Sequence, residues 1–469
     1  MIAQVLNRQW VREQLEDVER YLSSPEVARR RTGAPIAAEV EPDELNETLV
    51  HVRQAMARES SETTGQPGYE PPFAERRGEQ APPLDDFSFF SRDAVISNLQ
   101  SALEEYLEQS SATDEQIAQV ELPDDRRRGP GDDVAVTDRA LANFQPARMD
   151  GRRIFDQFSV TDIGWVSSAL AMGIRMFRKR HAFHDQPPAP IRLAENARLV
   201  VVGDWGTGVM RAAKVAAEMR KILDEGMGRL DQHVIHLGDV YYSGWQREYE
   251  KRFLPFWPVR PEEAGTIGSF SLNGNHDMYS GGYGYYDCLL RDGRFQRQGG
   301  CSYCTLVNGK WQILLLDTAW DDNGLKDPQR EWVQAQLQGF GGNVMLMSHH
   351  QLFSVYEKVG DVLPRKLAGA LDNGIHSWFW GHEHRCVLYQ QHDNVKFGRC
   401  IGHGGVPVYM THKQDDPYPP PATYEYREYI DKGIEHWAMM GFAVLDFEAD
   451  SVHVRYIDEN GDVHKEETI

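Results

Sequence analysis

The chain has 469 residues, few cysteines and no long apolar run. Its five cysteines are odd in number, and only Cys301 and Cys304 lie close together in sequence. We therefore expect reduced thiols rather than a disulfide framework. No apolar run is long enough to span a bilayer, and no basic start precedes an apolar stretch. These absences predict a cytoplasmic protein without a transmembrane segment or a signal peptide.

Positive charge is also scarce. The sequence has 50 Lys and Arg against 71 Asp and Glu, and its formal net charge is -21. A chain this acidic is a poor nonspecific ligand for nucleic acid, so no nucleic-acid partner is expected. Hydrophobic residues make up 41% and charged residues 26%, which is typical of a globular protein. The length allows two or three domains.

The first 190 residues differ from the remainder. Residues 1–150 contain three stretches with the apolar spacing of amphipathic helices, separated by segments rich in Pro, Gly and charge. We predict a helical, partly disordered region that mediates oligomerisation or a protein contact. Residues 151–190 contain an apolar helix candidate at 165–177 and a proline-rich linker. Docking onto the core is favoured for this helix, and a membrane-surface helix is the alternative.

Residues 191–469 alternate short apolar runs with helical patterns, which predicts an α/β domain with mixed sheets. Asn308-Gly309 joins two such runs and indicates a hairpin. In open α/β sheets, functional groups lie beyond the carboxyl ends of the strands. The polar residues that follow five of the predicted strands are Asp204, Asp239, Asn275-His276, His349-His350 and His382 with His384.

Carboxylate, amide and imidazole groups are typical ligands of hard or borderline metal ions. Only three of the 17 histidines precede residue 191. His382 and His384 lie on the same side of an extended segment, so from a turn they can reach two adjacent ions. Each residue alone is more often an ordinary turn or core residue. The five together predict a site for two metal ions.

The set resembles the signature of the calcineurin-like metallophosphoesterases, which contains Asp-x-His, Gly-Asp, Gly-Asn-His-Asp/Glu, a single His and Gly-His-x-His in this order. The resemblance covers about residues 195–450. It departs at the first motif, where Gly206 stands in place of the family's His ligand. Gly203-Asp204-Trp205-Gly206 and Gly238-Asp239-Val240-Tyr241-Tyr242 are more similar to the purple acid phosphatase branch, with Gly-Asp-x-Gly and Gly-Asp-x-x-Tyr. The resemblance implies a four-layer α/β/β/α sandwich.

The resemblance also implies a role for each matching residue. Asp239 would bridge the two ions. The first ion would be iron, because a tyrosinate replaces the missing imidazole, and the second would be iron, manganese or zinc. His276 would be an acid near the leaving group. The implied ligands are Asp204, Tyr242 and His384 at the first ion, and Asn275, His349 and His382 at the second.

This arrangement favours hydrolysis of a small phosphorylated substrate, most simply a phosphomonoester. Two cations about 3.5–4 Å apart neutralise the phosphate and lower the pKa of a bound water from ~15.7 toward ~7, which provides a hydroxide to attack phosphorus. The leaving alkoxide then needs a proton. A phosphodiesterase acting on nucleotides or lipid headgroups would use the same ligands. A noncatalytic scaffold is disfavoured, because it predicts lost ligands.

Three further residues have two interpretations each. His403, in Gly402-His403-Gly404-Gly405, either contacts phosphate at the rim of the site or is a loop histidine. His350 and Arg385 are adjacent to predicted ligands. They either bind phosphate oxygens or support the ligands beside them. We retain all three as candidate catalytic residues.

Overall fold

The computed structural model describes residues 90–94, 97, 98, 100, 101, 180–432 and 435–469. The chain divides into two compact units, Met1–Lys179 and Arg180–Ile469. In the first unit, residues 94, 97, 98, 100 and 101 are helical. The other predicted elements of that unit, including the helix at 165–177, lie outside the described residues. The predicted interaction and docking roles therefore stay predictions.

The strands of the second unit form an eight-stranded sheet, a six-stranded sheet and a two-stranded ribbon. Most strands are short runs of apolar and β-branched residues, which favour a pleated, buried surface. The strands are β1 (Ile191–Arg192), β2 (Ala197–Val202), β3 (Asp231–His236), β4 (Gly268–Ser271), β5 (Cys304–Val307), β6 (Trp311–Leu316), β7 (Asn343–Ser348), β8 (Ile375–Trp380), β9 (Cys386–Tyr389), β10 (Val395–Ile401), β11 (Ala422–Glu425), β12 (Tyr429–Lys432), β13 (Glu435–Ala438), β14 (Gly441–Glu448), β15 (Ser451–Asp458) and β16 (Val463–Thr468).

The described helices are mostly short. Within the described part of the chain, none combines the length and apolar composition needed to cross a membrane. Tyr249–Phe253 and Gly284–Leu289 form π-helical turns, and Pro261–Glu263 and Gly293–Gln298 form 3₁₀ turns. The α-helices are α1 (Met210–Gly226), α2 (Gln246–Glu248), α3 (Asn275–Tyr279), α4 (Gln329–Gly339) and α5 (Val362–Leu367).

The two large sheets are both mixed. The order in one is β1-β5-β6-β7-β8-β10-β9-β11, and in the other β16-β15-β14-β2-β3-β4. β2, β3 and β4 run parallel to one another, as do β6, β7 and β8. The predicted hairpin at Asn308-Gly309 is present, because β5 and β6 pair antiparallel around it. Each parallel set ends in the segments that carry the predicted ligands.

The core lies between the two sheets. Leu199 and Val201 of β2 and Ile235 of β3 share one buried cluster with Ile313 of β6 and Phe379 of β8. A second buried cluster covers the other face of the large sheet, where α4 and α5 pack. On the far side of the small sheet, α1 contacts β14. The mixed sheets and their helical layers confirm the expected α/β sandwich.

Residues 180–190 have no regular secondary structure, but they pack on the sheet unit. The Phe183 ring stacks on Tyr303 with 5.7 Å between centroids. The indole N–H of Trp320 donates to the His181 carbonyl at 3.0 Å. The second compact unit therefore begins at Arg180, eleven residues before the first predicted core residue at 191.

Candidate metal centre

Five chain segments that follow parallel strands converge at one edge of the two sheets. Asp204 follows β2, Asp239 follows β3, and α3 begins at Asn275 after β4. His349 directly follows β7, and His382 and His384 follow β8. Parallel strands expose their carboxyl ends at the same edge, so the topology brings these residues together. With Tyr241 they form the strand-end cluster, which comprises Asp204, Asp239, Tyr241, Asn275, His349, His382 and His384.

Asp239 lies at the centre of this cluster and is 1% exposed. One carboxylate oxygen accepts the backbone N–H of His276 at 2.9 Å. The other accepts the Tyr241 hydroxyl at 3.1 Å and lies 3.4 Å from Nε2 of His349. Burial raises the pKa of Asp239, but the neighbouring His349 and His276 outweigh burial and hold the pKa well below its ordinary value. The side chain is therefore a carboxylate, the form that binds metal.

Asp204 is fully buried and faces the residues that follow β8. Its Oδ2 accepts the backbone N–H of His382 at 2.7 Å. Its Oδ1 lies 3.4 Å from Nε2 of His384 and 3.3 Å from the Tyr241 hydroxyl. Asp204, Asp239 and His349 each offer a donor atom, and these three atoms lie within 4.8 Å of one another. This group fits a metal ion with oxygen and nitrogen ligands.

His349, His350 and His382 form a second group with the same 4.8 Å spacing. The Nδ1–H of His349 donates to the Leu237 carbonyl at 3.0 Å, which turns Nε2 toward the Asn275 amide oxygen, 2.9 Å away. A carbonyl that holds one ring nitrogen in this way fixes the orientation of a metal-binding imidazole. Burial lowers the pKa of His349, but Asp239 and Asp204 outweigh burial and raise it to about 9.

The backbone is strained at four cluster residues. Asp204, Asp239, His382 and His384 have φ values of 55, 76, 70 and 51°. Non-glycine residues rarely adopt this left-handed region, and such outliers persist where the surrounding structure enforces them, often at functional sites. The other non-glycine residues with positive φ in the described part of the chain are Asp322, Asn323, Asp393, Asn394 and Ala449.

Two motif glycines permit the close approach of the ligands. A Cβ at Gly274 would lie 2.1 Å from Oδ1 of Asp239, and a Cβ at Gly381 would lie 2.6 Å from Oδ2 of Asp204. Any side chain at either position would displace a carboxylate. The glycines of Gly-Asn-His-Asp and Gly-His-Glu-His are therefore needed for space.

The tyrosine predicted as a ligand lies elsewhere. The hydroxyl of Tyr241 contacts Asp204, Asp239 and His384, with 2.9 Å to Nε2 of His384. Tyr242 instead packs its ring under the Arg252 guanidinium, 4.4 Å from the ring centroid. The expectation for Tyr242 rested on spacing within the motif, and spacing does not fix the direction in which a side chain leaves a turn. The structure brings Tyr241 into the cluster.

His276, predicted as an acid, is 1% exposed and borders the cluster. Its Nδ1–H donates to the Tyr242 carbonyl at 2.6 Å, and Nε2 lies 3.9 Å from Oδ2 of Asp239. Burial lowers its pKa despite the charge of Asp239. His350 is buried as well, and its Nδ1 lies 3.0 Å from the Thr318 hydroxyl.

Arg385 and His403 have partners outside the strand-end cluster. The guanidinium of Arg385 donates to Glu425 at 2.8 Å and lies over the Tyr356 ring. His403 is 4% exposed, so it is not at an open rim, and it lies with Cys386 and His464. Of the two interpretations of each residue, a supporting role fits the Arg385 contacts, and His403 is a loop histidine that is buried.

Asp277 was not singled out from the sequence, although it completes the third motif. Its Oδ2 accepts the backbone N–H of Gly274 at 2.6 Å and that of Asp239 at 2.8 Å. The Tyr249 hydroxyl donates to its Oδ1. Burial, together with the charge of Asp239, raises the pKa of Asp277 to about 7. Asp277 thus ties the turn after β3 to the start of α3.

The sequence segment that carries this geometry matches the model of a known protein family. Residues 197–386 match the model of the calcineurin-like phosphoesterase family. This calcineurin-like segment contains every member of the strand-end cluster, from Asp204 to His384. The match therefore spans the whole cluster of oxygen and nitrogen donors. None of the curated proteins matches the sequence.

Several solved structures resemble part of this chain at low sequence identity. GAP50, the anchor in the inner membrane complex of Plasmodium, is 12% identical, with a TM-score of 0.39 over 58% of this chain and 88% of that one. A dimetal phosphatase from Danio rerio is 12% identical, with a TM-score of 0.38 over 60% and 99%. A predicted phosphoesterase from Streptococcus pneumoniae is 12% identical, with a TM-score of 0.27 over 58% and 98%. These similarities are too low to assign a function.

Proposed function

We propose that the chain is a calcineurin-like phosphoesterase that hydrolyses small phosphomonoesters with two metal ions. The observation that carries this proposal is the convergence of two three-residue donor groups, which share His349, at one edge of the sheets. The family match over residues 197–386 supports the same reaction class.

The proposed ligand sets follow the contacts within the cluster. Asp239 would be shared by both ions, because it lies at the centre of the cluster. Asp204, Tyr241 and His384 would hold the first ion, and the contacts of the Tyr241 hydroxyl support its assignment in place of Tyr242. Asn275, His349 and His382 would hold the second. A phenolate ligand favours ferric iron at the first position, with iron, manganese or zinc at the second.

The residues of the chain have separate tasks in the reaction. Two ions held by these residues would supply the charge that neutralises the phosphate and lowers the pKa of a bound water. His276 faces the cluster through Nε2, because its Nδ1–H is held by the Tyr242 carbonyl. Only when the ring is also protonated on Nε2 can it give a proton to the leaving oxygen. His350 lies beside His382, with 4.7 Å between ring centroids, and can contact a phosphate oxygen.

Substrate class is tested by parallel assays of an aryl phosphomonoester and the corresponding diester with the iron-, manganese- and zinc-loaded protein. We expect metal-dependent turnover that favours the monoester. Faster hydrolysis of the diester would reassign the substrate to the phosphodiesterase alternative. A protein that binds two ions and hydrolyses neither substrate would be a scaffold.

A further inference from the structure

A second group of metal-type side chains lies outside the strand-end cluster. Cys386 begins β9, His403 follows β10, and His464 lies on β16. One donor atom from each lies within 4.8 Å of the others. β9 and β10 belong to the eight-stranded sheet and β16 to the six-stranded sheet, so these residues meet between the two sheets. We call them the Cys–His cluster.

The donor atoms of the Cys–His cluster are buried without hydrogen bonds. Both ring nitrogens of His403 and Nε2 of His464 have no hydrogen-bond partner among the described residues, and the Cys386 thiol is free and buried. A buried polar atom without a partner costs about 1–3 kcal/mol, so a protein rarely retains several together. A bound ion would satisfy all three side chains at once.

The hydrogen bonds of His464 suit a metal. Tyr424 donates its hydroxyl to the His464 carbonyl at 3.4 Å and accepts Nδ1–H of the same ring at 2.9 Å. Nε2 of His464 then presents a lone pair, the form of an imidazole that binds metal.

We propose that Cys386, His403 and His464 bind a zinc ion. One thiolate and two imidazoles are ligands that zinc accepts in tetrahedral sites, whereas magnesium and calcium need oxygen. Zinc bonds of about 2.0–2.3 Å place tetrahedral ligands roughly 3.3–3.6 Å apart, so the side chains would move together by at most about 1.5 Å on binding.

The role of this ion would be structural. Cys386 is two residues after His384, and the ion would link that segment to β16 of the other sheet. Because the cluster contains no carboxylate and is largely buried, it offers little space for a phosphorylated substrate. Its proposed zinc is additional to the two ions of the strand-end cluster.

Cobalt(II) substitution tests the proposal directly. The protein is produced in cobalt-supplemented medium without zinc, and its near-ultraviolet absorption and metal content are measured. Only the Cys–His cluster would give a thiolate-to-cobalt band, because the strand-end cluster contains no sulfur. We expect this band and three ions per chain. A wild-type cobalt protein without the band would overturn the proposal.

Variants then assign the band to its ligands. Cys386→Ser should abolish it and remove about one ion per chain. Cys304→Ser is the matched control, because Cys304 is equally buried in the same inter-sheet core but lies outside the cluster. It should leave the band and the metal content unchanged. If Cys386→Ser fails to fold, His464→Gln on β16 replaces it, with a shifted or lost band expected. An unchanged band in either folded variant would contradict the assignment.

Discussion

The strand-end cluster and the Cys–His cluster differ in donor chemistry and in backbone. The first combines carboxylates, an amide, a phenol and imidazoles on turns, and four of its residues have positive φ. The second has one thiol and two imidazoles, and none of the three has positive φ. Between the two clusters, backbone strain is therefore confined to the strand-end cluster, whose side chains converge from separate turns. Hard, oxygen-rich ligands suit reactive ions, and the softer set suits a structural zinc.

The largest effect should follow from removing the shared carboxylate. Asp239→Asn should lower kcat by at least about a thousandfold, because the neutralisation supplied by two ions is worth several kcal/mol and each 1.36 kcal/mol is tenfold. Bound metal should fall as well, as measured by elemental analysis. A variant with full activity would disprove the two-metal site.

Asp317→Asn is the control for that substitution. Asp317 is also a buried aspartate at the carboxyl end of a strand, but it is held by Ser302 and by the backbone N–H groups of Ala319 and Trp320. We expect a loss of stability with the metal content retained. Equal metal loss in both variants would show that Asp239 acts through folding alone.

A methyl group at a motif glycine should break the strand-end cluster and leave the Cys–His cluster intact. Gly274→Ala places Cβ 2.1 Å from an Asp239 oxygen, so the carboxylate must move. We expect a loss of about 1–3 kcal/mol in the free energy of unfolding, as for overpacked cores, together with weaker metal binding. Gly293→Ala is the control, since its Cβ meets nothing within 4 Å. Unchanged metal affinity in Gly274→Ala would contradict the close-approach argument.

The paired tyrosines distinguish the two ligand assignments. Tyr241→Phe should remove the visible charge-transfer band of the iron-loaded protein and lower activity by about 10–100-fold. Tyr242→Phe should keep the band, because that ring packs under Arg252. Absorption spectra of both variants decide the matter. Loss of the band in Tyr242→Phe, with the band retained in Tyr241→Phe, would support Tyr242 as the ligand.

Glu425 provides a comparison with a carboxylate held by cations instead of a metal. It accepts hydrogen bonds from Arg385 and Arg427 and contacts His412. Burial raises its pKa, but these groups outweigh burial and lower it to about 2. The ionised Glu425 therefore stabilises the folded state above the ordinary pKa of 4.5. This contribution to the free energy of unfolding is lost as pH falls toward 2.

Glu425→Gln should therefore destabilise the protein by about 3 kcal/mol above pH 4.5, from a shift of about 2.5 pH units. The difference from wild type should narrow toward pH 2 in denaturant unfolding. Glu466→Gln, at an exposed position, should change stability little at any pH. A difference that is constant with pH would show that ionic pairing of Glu425 does not stabilise the fold.

Much of the strand-end cluster could be predicted from the sequence, because a strand followed by a polar turn is a local pattern. β2, β3, β4, β7 and β8 each end within a few residues of the polar residues that were expected to follow strands. The direction in which a side chain leaves a turn is not fixed by local sequence spacing. The choice between Tyr241 and Tyr242 therefore could not be made from the motif. Cys386, His403 and His464 are far apart in sequence, and only the packing of the two sheets brings them together.

Anomalous diffraction from crystals grown with iron and zinc tests the central claim most directly. The account predicts two ions on either side of Asp239, with the Tyr241 oxygen bound to the iron, and a separate zinc at Cys386, His403 and His464. Absence of an anomalous peak between Asp204, Asp239 and His349 would contradict the two-metal centre.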